Sequence, residues 1–271
     1  MPVQTASRIA NLFSACKAEN RKAFIAYLTC GDPSPAQTAA LVLALERGGA
    51  DLIELGVPFS DPIADGPVIQ RASDRALRAG ATLPQLLDIV REVRRQSQIP
   101  LLLFSYMNPL LRYGFEKLAR NAAEAGIDGV LLTDLCIEEA GAPVRRLREQ
   151  GLDTVFLGAP TSSERRLRLV AEHSSGFIYL VSRTGITGEQ DSLSAAAAPL
   201  AARMRALTDL PIAIGFGIST PRQVAEVARI SDGVVVGSAI VKFIETHATD
   251  SRLPDALESF TRSLTAPLRS T

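Results

Sequence analysis

The repeating unit of this chain begins with AFIAYLT at Ala23–Thr29 and ends with DLIEL at Asp51–Leu55. Both are short apolar segments of the kind that forms parallel strands buried on two faces. Between them, Ser34-Pro35 is a typical helix start and Gly48-Gly49 a typical helix end. The unit therefore predicts a strand, a helix and a second strand parallel to the first.

The same pattern recurs along the chain and predicts eight strands. They are Ala23–Thr29, Asp51–Leu55, Pro100–Ser105, Gly129–Leu132, Thr154–Leu157, Phe177–Val181, Pro211–Gly215 and Gly233–Val236. An extra amphipathic helix is predicted from about Ser7 to Lys17, before the first strand, and a final helix over Pro254–Leu264.

Eight strand–helix units in 271 residues favour a single domain, residues 1–271, folded as a (β/α)8 TIM barrel. The main alternative is an open doubly wound sheet, which normally has fewer strands and a glycine-rich turn after the first. Here the first strand leads into Cys30-Gly31-Asp32-Pro33, without the G-x-G-x-x-G pattern of that turn. The predicted fold is the barrel, with a short helix, Ala239–Glu245, after strand eight.

The composition excludes several classes of protein. The chain carries 29 basic and 29 acidic residues, so attraction to nucleic acid or anionic lipid through overall charge is not expected. Residues 1–20 lack a secretory signal core, and no apolar run approaches the roughly 20 residues that cross a bilayer. The three cysteines lack the spacing of a metal site or a disulfide framework. A soluble, cytoplasmic protein is expected.

Histidine and lysine are scarce, which limits the catalytic mechanisms that this chain can use. The chain has two histidines, His173 and His247, and none of its four lysines lies at the end of a predicted strand. A histidine-rich metal site and a Schiff base at the barrel mouth are therefore not expected. Carboxylates, backbone groups and a tyrosine remain as candidate catalytic groups.

Glu54 is the most unusual of the residues near the carboxyl ends of the strands, where the active site of a TIM barrel forms. It lies within the second strand, on the same face as Leu52, where a charged side chain is rare. Burial would raise the pKa of its carboxyl and make it a proton donor and acceptor near neutral pH. A buried ion pair with an arginine explains the residue equally well.

The loop after that strand, residues 56–69, contains three prolines and two glycines. Its length is typical of an active-site loop. Asp61 and Asp65 are candidate catalytic carboxylates, although either could instead cap a turn. Residues 183–190, after strand six, have the glycines and threonines of a mobile lid or of an ordinary flexible loop.

Glycines after the last two strands predict a phosphate site. Gly215-Phe216-Gly217 follows strand seven, and Gly237-Ser238 follows strand eight at the start of the short helix. Loops seven and eight, with such a helix N-terminus, form the recurrent phosphate site of this fold. The alternative is that these are simple turn glycines.

Three aspartates, Asp51, Asp128 and Asp232, each precede a predicted strand. This end of a barrel serves stability rather than catalysis. We therefore expect a structural role for them and exclude them from the site.

One long motif resembles a known family. IELGVPFSDPIADGP at residues 53–67 closely resembles the signature of the tryptophan synthase alpha chain family, and the similarity covers essentially the whole chain. Further matching segments are residues 27–33, 106–109, 133–135, 159–162, 177–188, 215–219 and 237–242. The chain departs from the family pattern at Cys30 and at Cys136, where proline is common; the second change affects the fourth loop and any partner surface there.

The resemblance implies a lyase that cleaves indole-3-glycerol phosphate to indole and glyceraldehyde 3-phosphate in the last stage of tryptophan biosynthesis. It implies that Glu54 is the acid–base residue, that Asp65 accepts a hydrogen bond from the indole N–H, and that Tyr179 lies beside the reacting centre. Further substrate-binding residues follow from it. They are Thr187, Gly188, Gly217, Gly237 and Ser238 at the phosphate and closing loop, and Tyr27, Ile63, Leu103 and Phe216 at the indole pocket.

This reaction suits the available residues. Protonated indole is itself the electron sink for carbon–carbon cleavage, so neither a metal nor a cofactor is expected in this chain. The family also implies a beta-chain partner, in an alpha2beta2 assembly, that takes the indole and holds pyridoxal phosphate. The alternatives are a stand-alone lyase releasing free indole, a non-catalytic subunit that only activates its partner, and a phosphosugar isomerase of related fold.

Overall fold

A computed structural model describes residues 7–181, 196–215 and 217–269 of the chain. Over these residues the backbone forms one sheet of nine strands. The strands are β1 Ala23–Thr29, β2 Leu52–Gly56, β3 Leu101–Ser105, β4 Gly129–Leu132, β5 Asp153–Val155, β6 Leu157–Gly158, β7 Ile178–Val181, β8 Ile212–Gly215 and β9 Gly233–Val236.

The sheet closes into a barrel. Its strand order is β5-β4-β3-β2-β1-β9-β8-β7-β6, and every pairing is parallel. The two strands at the ends of this order, β5 and β6, are separated along the chain only by Phe156. The predicted TIM barrel is therefore confirmed.

The fifth predicted strand differs from the observed one, because it is divided in two. β5 pairs with β4, and β6 pairs with β7. Between them the Phe156 carbonyl accepts a hydrogen bond from the Tyr179 N–H at 3.2 Å. The chain thus changes its pairing partner at Phe156, from β4 to β7, without changing direction. The fifth predicted strand therefore contains both of the strands that meet where the barrel closes.

Helices follow the strands and cover the outside of the barrel. Where the structure describes the chain they are α1 Arg8–Ala18, α2 Pro35–Arg47, α3 Pro67–Arg78, α4 Leu83–Arg94, α5 Met107–Tyr113, α6 Phe115–Ala125, α7 Gly141–Glu149, α8 Glu164–His173, α9 Ala197–Arg205, α10 Pro221–Ala228, α11 Ser238–Thr246 and α12 Leu253–Thr265. Short 3₁₀ helices cover Ile137–Glu139 and Ala266–Leu268. The predicted first helix begins as expected, since Ser7 is its N-cap and accepts a hydrogen bond from the Ala10 N–H.

Successive side chains of each strand point to opposite faces of the sheet. They form two apolar layers, one inside the barrel and one between the strands and the helices. In β2, Leu52 packs inside the barrel, whereas Ile53 and Leu55 pack against the helices. Helix α1 closes the amino-terminal end of the barrel, because its buried Phe13 joins the inner cluster and lies 5.5 Å, between ring centroids, from Phe177. The interior is therefore filled at one end, and space for a ligand remains at the other.

The three aspartates that precede strands have the structural role that we expected. Each accepts a hydrogen bond from the backbone of a neighbouring strand: Asp51 from the Phe24 N–H, Asp128 from the Leu101 N–H and Asp232 from the Ile212 N–H. Arginines neutralise them, namely Arg21, Arg94 and Arg205 in the same order.

The helices of the described residues include none with the length and hydropathy that a membrane span requires.

Replacing Asp128 by alanine is expected to lower the free energy of unfolding by about 3 kcal/mol, because it leaves a buried arginine without its partner. The side chains of Asp128 and Arg94 are only 5% and 10% exposed, and their nitrogen–oxygen distance is 2.7 Å. Urea denaturation measures the change.

The matched control is Asp88→Ala, which breaks an ion pair with Arg91 at the surface, where the aspartate is 74% exposed. This variant should lose less than about 0.5 kcal/mol. Equal losses in the two variants would show that the buried pair has no special role in stability.

Candidate active site

A cavity of about 630 Å³ opens at the carboxyl ends of the strands. Its volume is in the range of a small-molecule site, and its wall is mostly apolar with a few polar groups. Among the predicted residues, those that line it are Tyr27, Glu54, Asp65, Tyr179, Gly217, Gly237 and Ser238. The barrel thus brings together residues from five separate segments of the chain.

Glu54 lies within β2 and points into the cavity, as its alternation with the inward-facing Leu52 predicts. The residue is only 1% exposed, and its Oε1 atom has no hydrogen-bond partner within the described part of the chain. Desolvation alone raises the pKa of this carboxyl to about 8. The alternative of a buried ion pair is not supported, because no neighbouring charge among the described residues contributes to the shift.

Asp65 lies in the loop between β2 and α3 and is buried at the cavity. Burial raises the pKa of its carboxyl to about 6, and the polar Tyr106 hydroxyl nearby partly opposes this rise. Asp61, the other candidate of the loop, is exposed and accepts a hydrogen bond from Ser60 Oγ at 2.6 Å. Of the two aspartates, only Asp65 faces the cavity.

Two buried tyrosines, Tyr27 and Tyr179, form part of the cavity wall. Burial, together with the nearby acidic groups Glu54 and Asp65, raises the pKa of each hydroxyl well above its usual value. Both therefore remain neutral hydrogen-bonding groups at physiological pH. The Tyr27 ring also packs edge-on against Phe104, with 5.2 Å between centroids.

Glycines at two strand ends make room for these hydroxyls. A Cβ atom at Gly56 would overlap the Tyr27 hydroxyl, and one at Gly215 would overlap the Tyr179 hydroxyl. Any larger residue at either position would displace a phenol from the cavity.

The predicted phosphate site lies in the same cavity. Gly217 and Gly237-Ser238 line it, and the N-terminus of α11 begins at Ser238. The first backbone N–H groups of a helix have no partner within it and attract an anion. Lys242, one turn further along α11, also lines the cavity, a position that the sequence analysis did not assign to it.

Two predicted pocket residues lie elsewhere. Leu103 packs in the outer layer, against the helices, because β3 pairs with β2 so that Leu102 lies beside Glu54 and faces inward. Its neighbour Phe104 lines the cavity instead. Ile63 is 78% exposed at the tip of the loop after β2. The prediction was wrong for both residues.

Ile69, at the start of α3, lines the cavity, as does Thr133 after β4. The inward and outward alternation of side chains in β3 could have identified Phe104. Thr133 could have been identified because it follows the carboxyl end of a strand, where the active site of a TIM barrel forms. Ile69 could be placed only by the folding of the loop. Thr187, Gly188 and Phe216, and the predicted lid at residues 183–190, lie outside the described residues.

A network of ion pairs joins the elements around the cavity. Arg75 of α3 donates two hydrogen bonds, each of 2.8 Å, to the buried Asp32 carboxylate after β1, and a third of 2.7 Å to Glu245 of α11. Arg71 donates two more hydrogen bonds to Glu245. Asp32 is thus bound by Arg75, and the network connects α3, which follows the Asp65 loop, to α11, the helix of the predicted phosphate site.

The comparison with known proteins agrees with this geometry. The family model described as tryptophan synthase alpha chain matches residues 13–265. The tryptophan synthase alpha chain of Solibacter usitatus (strain Ellin6076) is 62% identical over 258 residues, which cover 95% of this chain and 97% of the relative. That of Geotalea uraniireducens (strain Rf4) is 49% identical over 263 residues, covering 97% and 98%.

Solved structures are similar over nearly the full length. Mycobacterium tuberculosis tryptophan synthase superposes with a TM-score of 0.90 at 38% identity, covering 98% of this chain and all of the matched chain. Tryptophan synthase subunit alpha from Legionella pneumophila str. Paris has a TM-score of 0.89 at 36% identity, with the same coverage. The similarity of sequence and fold extends through the cavity described above, and the chain belongs to the tryptophan synthase alpha chain family.

Proposed function

We propose that Glu54, Asp65 and Tyr179 carry out, in this chain, the reaction of its family. That reaction is the cleavage of indole-3-glycerol phosphate to indole and glyceraldehyde 3-phosphate, in tryptophan biosynthesis. The observation that supports the assignment most strongly is the buried Glu54 carboxyl, without a charged partner, in the same cavity as the N-terminus of α11.

Glu54 enters the reaction protonated, because burial raises its pKa to about 8. It delivers this proton to carbon 3 of the indole ring and forms a cationic indolenine. Loss of the proton from the hydroxyl on the adjacent side-chain carbon then breaks the carbon–carbon bond. The hydroxyl oxygen becomes the aldehyde of glyceraldehyde 3-phosphate, and the bonding electrons return to the ring. Transfer of this second proton to Glu54 restores the carboxyl group.

Asp65 stabilises the charge that develops on the ring. Its pKa of about 6 leaves it ionised at neutral pH, where it accepts a hydrogen bond from the indole N–H. Positive charge accumulates on that nitrogen in the indolenine, so that a fixed carboxylate binds the intermediate more strongly than the substrate. Tyr179 stays protonated and lies beside the reacting carbon as a neutral hydrogen-bonding group.

The remaining residues bind the two ends of the substrate. Backbone N–H groups of Gly217, Gly237 and Ser238 hold the phosphate, with Gly188 completing this set. Tyr27 and Phe104 pack on the indole, together with Phe216. Thr187 is also assigned to the substrate site. The cavity lining supports the assignments of Tyr27, Phe104, Gly217, Gly237 and Ser238. Those of Gly188, Phe216 and Thr187 rest on the family resemblance alone.

We also propose that the chain forms one domain, acts in the cytoplasm and assembles with a beta chain as alpha2beta2. Pyridoxal phosphate then belongs to the beta chain, which joins the indole to serine. Support for a partner surface comes from Ile63 and Leu111, two large apolar side chains that are exposed in segments after β2 and β3, at the cavity end of the barrel.

Replacing Glu54 by glutamine is expected to lower kcat by at least about 10²-fold, because the amide cannot donate and then accept a proton. Indole release from indole-3-glycerol phosphate measures the rate. Binding of an indole-alkyl phosphate that lacks the glycerol hydroxyls should be unchanged, since the cavity keeps its shape.

Stability provides an independent check on the Glu54 assignment. A carboxyl whose pKa is raised in the folded state loses stability as pH rises through about 8, whereas glutamine does not. The variant should therefore have a higher thermal midpoint than the parent at pH 9 and a similar one at pH 5. Substantial turnover in E54Q would remove Glu54 from the reaction.

The pH dependence of kcat/KM should be bell-shaped. Activity rises as Asp65 ionises near pH 6 and falls as Glu54 loses its proton near pH 8. In Asp65→Asn, turnover should fall by at least about 10²-fold. The residual activity should lack the acid limb of the profile, which is the rise in activity near pH 6. An unchanged acid limb in D65N would assign that limb to another group.

Addition of a beta chain should raise the rate of indole-3-glycerol phosphate cleavage, because docking orders the loops around the cavity. Ile63→Asp should raise the beta-chain concentration needed for half-maximal activation by about tenfold or more, since it places a charge in an apolar contact. The matched control is Ala15→Asp, on the exposed face of α1 at the opposite end of the barrel. No activation at any beta-chain concentration would indicate a stand-alone lyase that releases free indole.

A further inference from the structure

Arg75 of α3 connects three parts of the barrel through one guanidinium group. Its Nε and Nη2 atoms each donate a hydrogen bond of 2.8 Å to the carboxylate of Asp32, in the loop after β1. Its Nη1 atom donates a third, of 2.7 Å, to Glu245 of α11. The Asp32 side chain is only 2% exposed, and those of Arg75 and Glu245 are 27% and 25% exposed. All three nitrogens are therefore engaged, in a planar geometry that an ammonium group does not provide.

The helices α3 and α11 also meet through small apolar side chains. Ala72 and Val241 are fully buried in one cluster with Tyr27 of the cavity wall. Ala72 lies on the same face of α3 as Arg75, and Val241 lies on the same face of α11 as Glu245, because residues three or four apart are neighbours on a helix. Apolar contacts are non-directional. This cluster holds the helices together, and the hydrogen bonds of Arg75 fix how far one is displaced along the other.

The bridge lies at a distance from the cavity. Ser238, the first residue of α11, lines the cavity, and Glu245 lies about two turns, or about 10 Å, further along the helix. Asp32, Arg75 and Glu245 are not among the described residues that line the cavity. Any effect of the bridge on a ligand is therefore transmitted through α11, whose N-terminus faces the cavity.

We propose that Arg75 is a positioning residue for phosphate binding. By binding Asp32 and Glu245 together, it holds α11 against the barrel so that the N–H groups of Gly237 and Ser238 meet the phosphate of the substrate. This inference rests on the proposed function, in which those N–H groups bind the phosphate.

The bridge stays charged under the conditions of an assay. Hydrogen bonds from Arg71, together with the charges of Arg71 and Arg75, lower the pKa of Glu245 to about 2. Glu245 is therefore ionised at pH 7.5, where a phosphate monoester, with a second pKa of about 6, is mostly a dianion.

The test compares Glu245→Ala with Arg71→Ala in the full chain. Glu245→Ala removes the α11 end of the bridge and leaves Arg75 bound to the buried Asp32. Arg71→Ala is the matched control, because Arg71 also donates two hydrogen bonds to Glu245 but is 52% exposed, and its loss leaves the Arg75 bridge in place. Arg75→Lys is a second test variant, which keeps the positive charge beside Asp32 without the three-way geometry.

Binding of two ligands is measured by calorimetry at pH 7.5. One is an indole-alkyl phosphate that lacks the glycerol hydroxyls, and the other is the corresponding alcohol without the phosphate. Because the two share the indole and the alkyl chain, the ratio of their dissociation constants isolates the contribution of the phosphate. Circular dichroism and thermal midpoints verify that each variant is folded.

In Glu245→Ala and Arg75→Lys, the dissociation constant of the phosphate ligand should rise by about tenfold, the effect of losing one hydrogen bond to a charged group. That of the alcohol should be unchanged. KM for indole-3-glycerol phosphate should rise by a similar factor, while kcat stays within about threefold, since the phosphate is remote from the bond that breaks. Arg71→Ala should retain the parental values.

Parental affinity for the phosphate ligand in both Glu245→Ala and Arg75→Lys would overturn the proposal. Equal weakening of both ligands would also overturn it, because that result indicates general loosening of the fold. An equal loss in Arg71→Ala would assign the effect to the exposed pair instead of Arg75. The parent protein separates the two levels. Equal affinity of the parent for the two ligands would overturn the proposed phosphate site, whereas a preference for the phosphate ligand that persists in both test variants would overturn only the inference.

Discussion

Burial of one ionisable carboxyl, that of Glu54, is the constraint on which the arrangement of this molecule depends. A charge in an apolar interior is costly unless it is paired, and this carboxyl has no charged partner in the described chain. It therefore holds its proton, with a pKa of about 8. A stabilising arginine beside it would keep the group ionised at neutral pH and remove the proton that the proposed mechanism uses. The cavity is thus built to leave Glu54 without a partner.

The other side chains of the cavity wall also leave Glu54 without a charged partner. Hydroxyl groups of Tyr27 and Tyr179 lie near the carboxyl and provide polarity without charge, because their own pKa values are raised by burial. Gly56 and Gly215 leave the space that those hydroxyls occupy. Asp65 is less deeply buried than Glu54, 8% against 1% exposed, so burial raises the pKa of its carboxyl only to about 6. Two carboxyl groups in one cavity thereby have different pKa values and can perform different tasks.

The ion pairs described above involve residues that do not line the cavity. At the amino-terminal end, aspartates bind strand backbones and arginines neutralise them, while α1 fills the barrel. Around the cavity, Arg75 binds Asp32 and Glu245 and so connects α3 to α11. Since α3 follows the Asp65 loop and α11 begins at Ser238 in the cavity wall, this connection joins two elements on different sides of the cavity.

Much of this could be predicted from the sequence, and the misses have a common cause. The strands, the closing helix and the position of Glu54 follow from local alternation and from helix start and stop residues, which act over a few neighbours. The long motif at residues 53–67 identified the family, because its prolines, glycines and aspartates form a specific pattern. Leu103 was predicted in place of Phe104 because the sequence does not show which residues of β3 point into the barrel. That depends on the register of β3 with β2, which is defined by the strand pairing in the folded protein.

The sequence by itself determined the class of fold, the strand ends where the cavity opens and the candidate carboxylates, since these depend on residue type and short-range periodicity. Only the tertiary structure decided which side chains of the long loop face inward, so that Asp65 is buried while Asp61 and Ile63 are exposed. It also decided that Tyr106, about 40 residues further along the chain, binds that loop. The physical reason is that a loop has no periodicity of its own, and its conformation is set by contacts with parts of the chain that are distant in sequence.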